Sequence, residues 1–313
     1  LIIATIPLLL AHRQGVTMFR LHAIAAAVTA LAASAAAAPA PAPSLADILA
    51  KSPASDWRAV DPARTLYMEL PAGRVIIELA PGFAPKHAAN IEKLAKAGYF
   101  DGGAIVREQD NYVAQWSQPD EKRPLGGAEK TLKAEFTRSV DGAPPFTPLP
   151  DPDTYAPQTG FSDGFPAARD LATHRAWLVH CYGMVGAGRD NDADSGGGTE
   201  LYAVIGQAPR QLDRNVTLIG RVLSGIDLLS SLPRGHGDLG FYETPAERTT
   251  IRSIKLASDL PPGQQLHIEA LRTDSATFAQ VVRNRRFRHD AWYKVPAGHI
   301  DVCNVTLPVR IKP

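Results

Sequence analysis

The stretch AIVREQDNYVAQW, residues 104–116, decides how the rest of the chain is understood. Ile105, Arg107, Tyr112, Val113 and Gln115 recur at a strand-like alternation, interrupted by the polar turn Gln109–Asp110–Asn111. Alternation of this kind puts every second side chain on one face of a sheet. Arg107 then stands among apolar neighbours, where a guanidinium is costly to desolvate unless it has a task or a partner. Two carboxylates, Glu108 and Glu200, are the partners that would reduce it to a staple.

Working outward, Thr65–Leu70 and Arg74–Leu79 alternate around Pro71-Ala72-Gly73, which predicts a hairpin. Pro85 opens a helix with Ala88, Ile91, Leu94 and Ala95 on one face, and Gly98 ends it. Beyond residue 116, residues 119–175 form a Pro/Gly-rich insertion expected as a long surface loop. Strands are expected again over 176–185, 199–205, 212–222 and 248–257, with a two-turn helix over 225–232. Many strands, tight turns and two short helices predict a mostly-β fold, a closed antiparallel barrel. After Pro261-Pro262-Gly263 the character changes: Ser275 can cap a helix running to about His289, and residues 300–311 can add a strand. The boundaries expected are a leader over 1–38, a linker over 39–63, the barrel domain over 64–260 and a C-terminal helical extension over 261–313.

With 313 residues, 45% hydrophobic content and a net charge of +1, the chain has material for a packed domain and no bias toward nucleic acid. From Met18, a basic start, an Ala-rich apolar run over 21–31 and the tract SAAAAPAPAPS follow the order of a secretory signal. The apolar run is short of the roughly 20 residues of a membrane span. Export to the periplasm is therefore expected, with no membrane partner once the leader is removed. In an oxidising compartment Cys181 and Cys303 can pair; two isolated buried thiols are the alternative.

The order of pieces resembles the cyclophilin family of peptidyl-prolyl cis/trans isomerases. Tyr99-Phe100-Asp101-Gly102 is similar to the family's aromatic-aromatic-Asp-Gly turn. Arg107 and Gln115 stand where the family has Arg and Gln, and Tyr112 keeps its aromatic. Gly183-Met184-Val185-Gly186-Ala187-Gly188 resembles Ser-Met-Ala-Asn-Ala-Gly, and Gly198-Thr199-Glu200-Leu201-Tyr202 resembles Gly-Ser-Gln-Phe-Phe. Departures are plain: Trp116-Ser117-Gln118 replaces Gly-Gly-Asp, Glu200 replaces Gln, Gln211 replaces a pocket Trp, and Val216 replaces His.

The resemblance implies an eight-stranded closed barrel with two capping helices, and catalysis by Arg107, with Gln115 positioning it or the peptide carbonyl. It implies a prolyl and peptide site from Tyr112, Val113, Gly186, Ala187, Glu200, Tyr202, Leu212 and Val216. Pro-containing polypeptides are the partners it implies, and protein folding the role. A catalytically weak module that binds such segments as chaperone or scaffold is the alternative, as is a groove filled by the insertion's own prolines. Rotation about X–Pro breaks no bond, so no metal, nucleophile or cofactor is expected. Asp190, Asp192 and Asp194 have the first spacing of a calcium loop, but Ser195 and Leu201 stand where Gly and Glu are needed, which favours a plain acidic loop.

Overall fold

The computed structural model describes residues 43–120 and 122–312, so the expected leader lies outside the described residues. Nine antiparallel strands make the main sheet: β1 (Thr65–Leu70), β2 (Gly73–Leu79), β3 (Ala104–Glu108), β4 (Val113–Ser117), β5 (Met184–Ala187), β6 (Glu200–Val204), β7 (Leu218–Ser224), β8 (Thr249–Thr250) and β9 (Ser253–Leu256). Their order is β8-β3-β4-β6-β5-β7-β2-β1-β9. The expectation of eight strands in a closed barrel is corrected to nine in an open order. The reason lies in the last strand, which breaks at Ile251–Arg252. Thr249 and Thr250 pair with Ile105 and Ala104, whereas Ser253 to Leu256 pair with Glu69 to Leu66. Between them the Ile251 N–H donates to the Gly103 carbonyl and the Arg252 N–H to the Glu69 carbonyl, so one short segment touches both edges of a curled sheet.

The concave side holds the main core, in which Leu66, Met68, Ile77, Phe100, Trp116 and Ile219 are buried. The helix expected after Pro85 runs over Pro85–Lys96, its apolar face of Ala88, Ile91, Leu94 and Ala95 buried against that core. Gly98, at φ +63°, ends it in the left-handed conformation that glycine adopts without a Cβ clash. The short helix Ile226–Ser230 buries Leu229 in the same core. Two strands begin or end elsewhere than expected. The run from residue 176 splits around a turn at Gly183, and the run from Leu212 becomes a strand only at Leu218, because Arg210–Leu212 is a 3-10 turn followed by Arg214 at φ +64°.

The segments outside the main sheet pack on one another. Residues 43–63, expected as a linker leading to a short helix over Leu45–Lys51, contain the helix Leu45–Ala50, capped reciprocally by Ser44 and Asp47, and also the strand Trp57–Ala59. That strand pairs with His267–Leu271, which pairs in turn with Val309–Lys312. The insertion, expected as a loop, contributes four antiparallel strands between Arg138 and Asp170, which form one sheet with Arg175–Leu178 at the start of the expected strand run. The C-terminal helix runs over Ala276–Phe287, with the Ser275 side chain accepting from the Phe278 N–H at 3.1 Å. Trp57, Phe161, Phe165, Trp177, Phe278 and Val302 meet in a second core. There Cys181 and Cys303 form a disulfide, with Cα atoms 4.9 Å apart.

Candidate active site

Strand register assembles the site. Arg107 on β3 lies opposite Gln115 on β4, Gln115 opposite Tyr202 on β6, and Tyr202 opposite Gly186 on β5. The β3–β4 ladder slips between Ile105 and Arg107, a bulge of the kind that re-aims a side chain. Val113 and Glu200, each two residues from a member of this row, share its face. Arg107, Tyr112, Val113, Gln115, Ala187, Glu200, Tyr202, Leu212 and Val216 all line one open cleft of about 330 Å³. Gly186 alone among the expected site residues does not. It lies beneath Tyr202, whose ring would meet an added Cβ at 2.4 Å, so glycine is what lets the ring lie flat there.

The guanidinium is held from several sides. Arg107 Nε donates to the Leu239 carbonyl at 2.6 Å, Nη1 to Gln115 Oε1 at 2.9 Å, and Nη2 to Gln109 Oε1. The Tyr112 and Phe241 rings lie 5.5 and 5.2 Å from it. With three of a guanidinium's five N–H groups engaged, two remain for a ligand. Burial depresses the Arg107 pKa from its ordinary value, opposed by Tyr112 and Glu200, and a guanidinium so shifted still carries its charge at neutral pH.

Neither expected carboxylate staples Arg107. Glu108 points to the other face and pairs with Arg234 at 2.9 Å. Glu200 accepts a hydrogen bond from Gln115 Nε2 instead. The Gln115 amide is thus fixed at both ends, its oxygen toward Arg107 and its nitrogen toward Glu200.

Sequence reasoning missed Gln109, Leu239 and Phe241. Gln109 carried a signal, since it sits two residues beyond Arg107. Leu239 and Phe241 come from a loop 132 residues or more away and carried none. Leu239 is 67% exposed and sits at φ +56°, an uncommon state for a leucine that aims its carbonyl at Arg107. In the acidic loop, Asp190 and Asn191 join the cleft wall, while Asp192 and Asp194 accept from the backbone N–H groups of Asp194 and Ala134 at 3.0 and 2.9 Å. A larger groove, about 420 Å³, lies along the C-terminal helix among Phe161, Phe278 and Phe287, with Asp274, Arg283 and Arg286 also on its wall.

Comparison with known proteins agrees with this arrangement. The family model of the cyclophilin type peptidyl-prolyl cis-trans isomerases matches residues 65–256, more than half of the chain. Proteins of Brucella suis biovar 1 and Brucella abortus, each described as a probable peptidyl-prolyl cis-trans isomerase, are 27% identical over 177 residues, spanning 56% of this chain and 75% of theirs. The crystal structure of cyclophilin AquaCyp293 from Hirschia baltica is similar with a TM-score of 0.65 at 30% identity, covering 82% of this chain and 93% of that one. That share is larger than residues 65–256, so the likeness extends beyond the span of the family model. The chain belongs to the cyclophilin-type peptidyl-prolyl cis-trans isomerase family, a class of enzymes.

Proposed function

We propose that this protein rotates X–Pro bonds in extended polypeptides, with Arg107 as the catalytic group. The observation that carries this is the row Arg107–Gln115–Tyr202 across three strands in one open cleft. Amide resonance opposes rotation with a barrier of ~18–20 kcal/mol, and the bond turns over tens to hundreds of seconds unaided. In the twisted state the prolyl nitrogen regains its lone pair and becomes an acceptor. A cation with two free N–H groups beside apolar Val113, Leu212 and Val216 favours that state over the planar one. One charge-assisted hydrogen bond made mainly there is worth roughly 1.5–3 kcal/mol, or one to two decades of rate. Glu200 leaves Arg107 charged and unpaired because its interaction goes to Gln115. That favours the isomerase over the catalytically silent binding module.

We place the activity in the periplasm, as a folding aid. The signal-like order of residues 18–38 supports this, as does the disulfide, a bond typical of oxidising compartments. Titrating a short Ala–Pro peptide and its Ala–Ala counterpart, followed by NMR, tests the cleft. Shifts at Tyr112, Val113, Tyr202 and Leu212 with the prolyl peptide alone are expected; equal shifts with both peptides would sink the assignment.

A further inference from the structure

Tyr202 is an odd wall for a prolyl pocket, because its hydroxyl is buried and partnered. The residue is 6% exposed, and its oxygen lies 3.0 Å from His180 Nε2. The two rings are nearly parallel, at 11°. His180 is fully buried, and its Nδ1 lies 3.0 Å from Asp213 Oδ1, which also accepts the His180 backbone N–H at 3.0 Å. The other Asp213 oxygen accepts from Arg210 Nε at 2.7 Å. Arg210 then grips Asp153 with both terminal nitrogens, at 2.9 Å each. A bidentate fork fixes geometry as well as energy. Asp153 is itself anchored by the N–H groups of Tyr155 and Ala156, both at 2.9 Å.

One proton arrangement satisfies every member. Asp213 ionised can only accept, so His180 Nδ1–H donates to it; His180 Nε2 then accepts the Tyr202 O–H. Each group's position is set by the next, from the pocket wall back to residue 153 of the insertion. Such a buried network, fully satisfied, holds one arrangement.

We propose that Asp153, Arg210, Asp213 and His180 form a positioning relay through which the insertion fixes the Tyr202 wall and so sets affinity for the prolyl ring. This rests on the prolyl-site assignment made above. None of the four lines the cleft, so the relay acts on binding through Tyr202 and leaves the rotation step to Arg107.

The test is a double-mutant cycle on the full chain with Asp153→Asn and Tyr202→Phe, reading peptide Kd, KM and kcat for an Ala–Pro substrate. Each single variant is expected to raise Kd and KM about fivefold with kcat within twofold of wild type. The double variant is expected to be no worse than either one, since both cut the same chain. Effects that multiply, or a Tyr202→Phe protein that binds peptide like wild type, would overturn the relay. Should Asp153→Asn fail to fold, Tyr202→Phe still decides, through its Kd and through its split of KM against kcat. A Kd for the Tyr202→Phe protein equal to that of wild type overturns it. A wild-type protein that binds prolyl peptide without turning it over would end the isomerase assignment alone, because the Kd cycle still reads the relay.

Discussion

Reduction of the Cys181–Cys303 disulfide separates covalent from packing contributions to the second core. The two cysteines are 122 residues apart in sequence, one just before β5 and the other in the C-terminal segment. In the chain-entropy relation, closing a loop of that length removes unfolded-state freedom worth about 4.9 kcal/mol at 25 °C. With a urea m-value of about 3 kcal/mol/M, the unfolding midpoint is expected to fall by roughly 1.6 M on reduction. Trp57 and Trp177 both lie in the second core, so intrinsic fluorescence reports the transition where the bond acts. Isomerase activity before the transition is expected to change little, because the bond lies outside the Arg107–Gln115–Tyr202 row. Coincident midpoints with and without dithiothreitol would refute the reasoning, as would two titratable thiols in the unreduced protein.

Two further outcomes follow from the site and its surroundings. Burial pushes the Glu108 carboxyl from 4.5 up to about 8, against the opposing pull of Arg234. The unfolded chain therefore loses this proton first, and the folded state binds the extra proton between those values. Glu108's contribution is full below about 4.5 and is lost as pH rises toward 8, by up to ~1.4 kcal/mol per pH unit. Glu108→Gln, isosteric with the neutral form, should flatten that slope, so its Tm relative to wild type rises between pH 5 and pH 8.5; a pH-independent difference would contradict it. Gln115→Ala removes an Arg107 partner and frees Glu200 to neutralise the guanidinium. A loss of about tenfold in kcat/KM is expected, equivalent to ~1.4 kcal/mol, with partial recovery in the Gln115→Ala/Glu200→Gln double variant. No recovery would show that Glu200 does not compete for Arg107.

The main-sheet strands were legible because alternate residues face the main core, as Leu66, Met68 and Leu70 do, and that period is written into the sequence. Arg107 and Gln115 were brought together by the resemblance to the cyclophilins, and the strand register sets them opposite one another. Of the second core, the run from residue 176 and the helix capped by Ser275 were legible, but the strands of the insertion and the strand Trp57–Ala59 were not. Those strands are short, carry Pro148 and Pro166 and small Ala167 and Ala168, or pair with segments far along the chain, as Trp57 does with Leu271. Composition of that kind looks like loop until the partners are known. The relay behind Tyr202 was hidden differently. His180, Arg210, Asp213 and Asp153 lie in turns and loops, outside any strand or α-helix, where no period links them. The tie between Glu200 and Gln115 likewise depends on which rotamer each long side chain adopts, which spacing does not determine.

The most direct measurement is the cis/trans exchange rate of an Ala–Pro peptide, followed by two-dimensional exchange NMR with wild type and Arg107→Ala. Arg107 as catalyst predicts fast exchange with wild type, and one to two decades less with the variant at similar peptide affinity. Equal exchange rates for the two proteins at saturating peptide would contradict it.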